Sequence, residues 1–221
     1  MSLQLLYLHG FASSPEGTKA SFFHYRLRQL GLELQVPELA PDFRCMTITS
    51  QIAIVEPLLE RGPTVILGSS LGGYLATILA ERHPEQVAGL VLFAPAFGFA
   101  RRWESRLGEP AMERWRSERT LDVYHYGKSR EEKLSIRLIE DAGAYPDEPD
   151  PRCPALVFAG RRDTAVPLET VEHFTRARAG RNLVVLDTGH ELTEVLELMW
   201  QLTHDFLASL GAAPALEQKG F

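Results

Sequence analysis

Short apolar runs alternate with longer segments of helical period along most of this chain, and few architectures accept that rhythm. Residues 3–8 (LQLLYL), 32–36 (LELQV), 64–68 (TVILG), 87–94 (VAGLVLFA), 155–160 (ALVFAG) and 182–187 (NLVVLD) read as strands. Residues 18–30, 47–60 and 71–82 read as helices between them. Apolar residues from Leu192 to Leu210 recur at the spacing of a final amphipathic helix. Runs that are mostly apolar, without strict polar alternation, belong to strands covered on both faces. The expectation is a doubly wound α/β fold around a mostly parallel sheet. At 221 residues the chain can bury one sizeable core but is short for two, so residues 1–221 are expected to form a single domain.

One segment breaks the rhythm. Between Phe97 and Pro151, after the fourth strand, no strong strand signal appears. Charged stretches of helical character (RRWESRLGEP, AMERWRSER, SREEKLSIRLIEDAG) surround YHYG, and the segment closes with YPDEPDPRCP, a proline- and acid-rich connector. The expectation is a small helical insertion, about 97–151, lying like a cap over the sheet edge.

The formal net charge is -6, which offers no electrostatic reason to hold nucleic acid or an anionic membrane. The opening MSLQLLYLHG lacks the basic region of a signal peptide, and no run is long enough to span a bilayer, so a cytoplasmic, reducing setting is expected. Cys45 and Cys153, far apart in sequence, are expected to be small buried or half-buried side chains rather than disulfide partners or metal ligands. No H-x-x-x-H or C-x-x-C spacing suggests a metal site.

The segment 64–80, TVILGSSLGGYLATILA, sets two serines among glycines where a buried strand meets a helix. A G-x-S-x-G turn fits only Ser70, with Gly68 two before and Gly72 two after; centring on Ser69 would put Leu67 and Leu71 at those places. A nucleophile here sits on a very sharp turn, often with φ above zero, and a Cβ two residues away on either side would clash. The helix that follows directs free N–H groups and its positive dipole end at the reacting oxygen. A glycine-rich turn that only packs or binds phosphate would look similar. However, the segment does not fit G-x-G-x-x-G. GFASSPEGTK (10–19) spaces its glycines too widely and reverses the Thr-Lys order for a Walker A loop.

A serine hydroxyl needs a base, and the base needs an orienting carboxylate. In ALVFAGRRDTAVP, Asp163 lies just past a strand end. In VVLDTGHEL, His190 lies after the next strand and before the final helix. The chain order Ser, Asp, His and both loop types match the α/β-hydrolase arrangement. Asp187 is close to His190 in sequence, but its place at a strand end is explained by capping or a turn. His24, His83, His173 and His204 fall in helical patterns and His125 in the insertion, as surface or packing residues. An oxyanion hole would take one donor from the Leu71 N–H, directly after Ser70. The other would come from the loop after the first strand, where the Phe11 N–H in His9-Gly10-Phe11 is the candidate. The Phe11 side chain would then line the pocket, and His9 would hold the loop by hydrogen bonding.

LHGF-x-SSP, GSSLGGYLATILAE, G-x-x-D and the late T-G-H together resemble the α/β-hydrolase superfamily, and more narrowly the small bacterial esterases called YqiA-like. The resemblance implies an α/β-hydrolase fold and a carboxylic ester hydrolase with Ser70, Asp163 and His190 as its triad and no cofactor. It also implies a sheet without the additional N-terminal hairpin of larger members. The motifs fix the chemistry better than the substrate. Small, soluble, short-chain esters are the expected class, with a thioester as the nearest rival. A catalytically idle binding protein is the alternative of a different kind. In the insertion, Trp103, Trp115, Tyr124 and Tyr126 could line an acyl pocket, while Arg101, Arg102 and Arg106 meet an anionic group on the substrate. The plainer expectation is that the aromatics fasten the insertion to the domain and the arginines are solvated.

Overall fold

The computed structural model describes residues 3–214. Six strands form one sheet: β1 (Gln4–Leu8), β2 (Leu34–Gln35), β3 (Thr64–Ser69), β4 (Val87–Phe93), β7 (Ala155–Gly160) and β8 (Arg181–Leu186), in the order β2-β1-β3-β4-β7-β8. Every neighbouring pair is parallel. Five helices cover the two faces: α1 (Thr18–Gln29), α2 (Ile48–Leu59), α3 (Leu71–Arg82), α7 (Leu168–Arg176) and α8 (Leu196–Ser209).

Strand alternation divides the core in two. Leu5, Tyr7, Val65, Leu67, Val91 and Phe93 turn to the face packed by α1 and α8, where Phe23, Leu27 and Met199 meet them. Leu6, Leu8, Ile66, Leu90 and Leu92 turn to the other face, met by Ile52 and Val55 of α2, Leu75 and Ile78 of α3 and Phe174 of α7. Both sets are buried, which is why the strands read as apolar throughout. α2 begins where expected because Thr47 caps it: Ser50 N–H donates to Thr47 Oγ1 (3.0 Å) and Thr47 N–H to Ser50 Oγ (2.8 Å).

The insertion holds the expected helices and, in addition, two strands for which the sequence shows no strong signal. It contains α4 (Phe99–Leu107), α5 (Glu109–Glu118) and α6 (Arg137–Ala142), but also an antiparallel hairpin of β5 (Thr120–His125) and β6 (Arg130–Ser135). The hairpin is hard to read in sequence because it is largely solvent-facing, so REEKLS carries charges where a core strand would carry apolar residues. Trp115, fully buried, donates from Nε1 to Leu134 O (3.1 Å) and fastens α5 to β6. At the hairpin's far end, Gly127 N–H donates to Ala12 O (3.3 Å), and the His125 ring packs edge-on against Phe43, 4.7 Å between centroids. The insertion therefore leaves the sheet after β4 and reaches across to the loop after β1.

Three smaller expectations also need correction. β2 is only two residues long, because from Val36 onward the chain turns away into a loop bearing Pro37. The final helix begins at Leu196 rather than Leu192: Leu192 has φ of 57° and its buried side chain anchors the approach, with a single 3-10 turn, Thr193–Val195, between. Cys45 is exposed, on the short turn Phe43–Cys45 where Phe43 takes the inward position, while Cys153 is half-buried.

Candidate active site

Ser70 lies between β3 and α3, at φ 52° and ψ −114°, a backbone conformation L-residues rarely adopt. The turn is held from both sides. Ser70 N–H donates to Phe93 O (2.9 Å), and Ser70 O accepts from the Gly73, Tyr74 and Ala96 amides. The two glycines of the motif are required by close approach. A Cβ on Gly68 would stand 2.6 Å from Gly72 O, and one on Gly72 would stand 2.1 Å from Leu8 O and 2.5 Å from His9 O. The contact at Gly72 seats the loop after β1 against the start of α3, so Gly10 and Phe11 run beside Ser70. Ser69, by contrast, is buried at the end of β3.

The structure brings the three predicted side chains into one hydrogen-bonded chain. His190 Nε2 stands 2.9 Å from Ser70 Oγ, and His190 Nδ1 stands 2.7 Å from Asp163 Oδ2. Burial alone would push the Asp163 carboxyl up. The His190 hydrogen bond and charge, with the Val166 and Ala165 amides, outweigh burial and hold it below its ordinary value. An ionised carboxylate only accepts, so the hydrogen lies on Nδ1, and Nε2 presents a lone pair to the serine hydroxyl. Asp163 Oδ1 accepts from Ala165 N–H (2.7 Å) and Val166 N–H (2.8 Å), which folds the loop after β7 around a side chain only 2% exposed. Asp187 faces away and pairs with Arg162 at the surface (3.1 Å).

The Leu71 N–H is the first of α3, and the Phe11 N–H lies in the adjoining loop. Among the described residues neither donates to an acceptor outside its own element. His9 holds that loop. Its Nδ1–H donates to Gly10 O (3.0 Å), and its Nε2 accepts from Leu39 N–H (3.2 Å), tying the loop after β1 to the segment after β2.

Sequence reasoning passed over Lys19. Its ammonium donates to Glu191 O (2.6 Å), the carbonyl next to His190, and stands 3.7 Å from the Glu191 carboxylate. Burial draws its pKa down, against the pull of the Glu191 and Asp163 charges. The signal was available: a lysine in the first turn of α1 opposes the helix dipole and needs another reason to be there.

Two cavities meet at Ser70 and Phe11. One, about 660 Å³, is lined by polar groups of the loop after β1 and the start of α1, with Tyr7, Lys19, Tyr126 and Glu191. The other, about 470 Å³, lies under the insertion and is walled by Phe99, Trp103, Leu107, Val166 and Pro167, with Arg102 and Arg106. The insertion's aromatics thus divide: Trp115 is structural, Trp103 and Tyr126 line cavities, and Tyr124 is exposed. Arg101 pairs with Asp147 (3.2 Å). Among the described residues no three His, Cys, Asp or Glu side chains converge as metal ligands would, and no helix is long and apolar enough to cross a membrane.

A stretch of 97 residues is 33% identical to the biotin biosynthesis bifunctional protein BioHC of Teredinibacter turnerae, covering 41% of this chain and 17% of that protein. The matched stretches span less than a third of the curated relatives' own lengths, 17% and 28%. Mouse alpha/beta hydrolase domain-containing protein 10 superposes with a TM-score of 0.80 at 19% identity, over 94% of this chain and 90% of that one. Est1E from Butyrivibrio proteoclasticus, solved with ferulic acid bound, superposes with a TM-score of 0.80 at 18% identity, over 95% and 90%. At these identities the likeness concerns the fold, and the fold is that of the α/β-hydrolases. The sequence model of Uncharacterised protein family (UPF0227) matches residues 4–207, and the chain belongs to that family.

Proposed function

We propose that the protein is a serine hydrolase that cleaves small carboxylic esters through an acyl-enzyme on Ser70. The observation that carries this reading is the hydrogen-bonded series Ser70–His190–Asp163 with its serine at the junction of two open cavities. A buried structural serine would have no use for an imidazole oriented by a carboxylate, nor for room on two sides.

Ser70 Oγ attacks the ester carbonyl as His190 Nε2 takes its proton, and Asp163 holds the imidazole in the required tautomer and offsets its positive charge. The Phe11 and Leu71 N–H groups receive the carbonyl oxygen as it becomes an oxyanion; one such donor is worth about 3 kcal/mol in the transition state. His190 returns the proton to the departing alcohol. It then draws one from water, which attacks the acyl-enzyme, and passes that proton to Ser70 Oγ as the acyl–oxygen bond breaks, freeing the acid and restoring both side chains. The two cavities suit the two halves of an ester, and Est1E, whose fold is alike, was solved with a carboxylic acid.

The test is intact mass after exposure to a fluorophosphonate. The wild type should gain one adduct, and Ser70→Ala should gain none. An unmodified wild type would sink the proposal and leave a hydrolase-fold binding protein. Hydrolysis of matched esters and thioesters by the wild type then identifies the leaving atom.

A further inference from the structure

Arginines drawn in from solvent elsewhere in this chain hold carboxylates: Arg26 holds Glu197, and Arg178 and Arg181 hold Asp150. Arg102 is half-buried as well, yet among the described residues it has neither a carboxylate within ion-pair distance nor a hydrogen-bond acceptor for its guanidinium. Its neighbour Arg101 takes Asp147 instead. Arg102 also sits in the first turn of α4, where the helix dipole disfavours a cation. Burial lowers its pKa, against the pull of the Asp163 and Asp147 charges. A desolvated cation is unfavourable unless something answers it, and among the described residues only the more distant Asp163 and Asp147 charges do so, with no acceptor in direct contact.

Arg102 lines the cavity that opens on Ser70. Apart from Arg102 and Arg106, one helical turn further along α4 and exposed at the rim, the walls beneath the insertion are largely apolar, with Phe99, Trp103, Leu107 and Val166. The chamber thus offers hydrocarbon contact and one inward guanidinium, whose planar fork matches a carboxylate in a two-point hydrogen bond.

We propose that Arg102 is a specificity residue: the ester cleaved at Ser70 carries a carboxylate on the arm that enters the chamber beneath the insertion. This rests on the ester-hydrolase reading above and extends it to a substrate class, half-esters and related anionic esters. Arg106 adds attraction at the mouth of the chamber.

Two matched pairs of substrates test it. In the first, 4-nitrophenyl hexanoate is compared with the mono-4-nitrophenyl ester of hexanedioic acid, which places the charge on the acyl arm. In the second, hexyl acetate is compared with the acetate ester of 6-hydroxyhexanoic acid, which places it on the alcohol arm. The wild type should favour the charged member of one pair by about tenfold or more in kcat/KM, as a charge-assisted hydrogen bond allows. The pair that shows this identifies the arm in the chamber. Arg102→Gln should bring that ratio close to one, and Arg102→Lys should keep part of it. Each ratio compares two substrates on one protein sample, so a loss of folded enzyme cancels. No preference for charge in either pair, or a ratio unaltered in Arg102→Gln, overturns the proposal and leaves the ester reading standing. Hydrolysis of none of the four overturns both.

Discussion

Asp163 divides its carboxylate between two tasks, Oδ2 for His190 and Oδ1 for the Ala165 and Val166 amides. Asp163→Asn separates them. The amide oxygen can still take the two N–H donors and keep the loop folded, while its NH₂ faces His190 Nδ1 and favours the tautomer with hydrogen on Nε2. That tautomer cannot take the serine proton, so kcat should fall by about 10³- to 10⁴-fold with the melting temperature nearly retained. A loss below tenfold in steady-state kinetics would remove Asp163 as the group that sets the His190 tautomer. Ser70, Asp163 and His190 were legible in sequence because each lies in a local pattern, strand end followed by a tight turn, that fixes its place on a parallel sheet. Arg102 was not separable from Arg101 and Arg106. Which of three neighbouring arginines turns inward depends on how α4 is rotated against the rest of the fold, and a charged, short helix does not announce that.

The hairpin of β5 and β6 is the element whose existence local pattern concealed, and it is attached at one end through a titratable group. His125 is buried against Phe43, and its Nδ1 accepts from Lys128 N–H, which requires the lone pair of the neutral ring. Burial lowers its pKa and Lys128 lowers it further, while Glu132 and Glu38 oppose them. With the folded value depressed, the unfolded chain takes up the proton first. The contribution is therefore whole above the ordinary histidine value of about 6.5 and declines as pH falls below it. Hairpin amides should lose hydrogen-exchange protection between pH 7.5 and 5.5 relative to those of α3, once intrinsic exchange rates are divided out. His125→Phe should remove that excess loss, because the aromatic contact remains and the titration does not. Equal losses in the two proteins would show the hairpin's attachment to be independent of His125.

Across the molecule, the insertion must return to the sheet in register, and Arg181 at the start of β8 secures that return. Its guanidinium donates to Asp150 (2.5 Å), Pro151 O (2.7 Å) and Phe174 O (2.8 Å), and it lies 4.0 Å from the Phe174 ring. Arg181→Met leaves those carbonyls unpaired and should cost roughly 2–4 kcal/mol in urea unfolding. Arg178's hydrogen bond outweighs the opposing effect of burial and, with Arg181, holds the Asp150 carboxyl down at about 2. This contribution is present above the ordinary carboxyl value of about 3.9 and is lost as pH falls toward 2, so Arg181→Met should also lessen the acid sensitivity of stability in that window. A variant as stable as the wild type would mean the connector is held elsewhere. The order of strands and helices, the two-sided burial of the sheet and the three-residue constellation all follow from local hydrophobic period and turn chemistry, which act over a few residues and are written in them. The hairpin crossing to the loop after β1, the meeting of two cavities at Ser70 and the half-buried place of Arg102 beside one of them come from contacts between segments far apart in the chain. Those depend on the rotation and register of packed elements, for which no short stretch carries a signal.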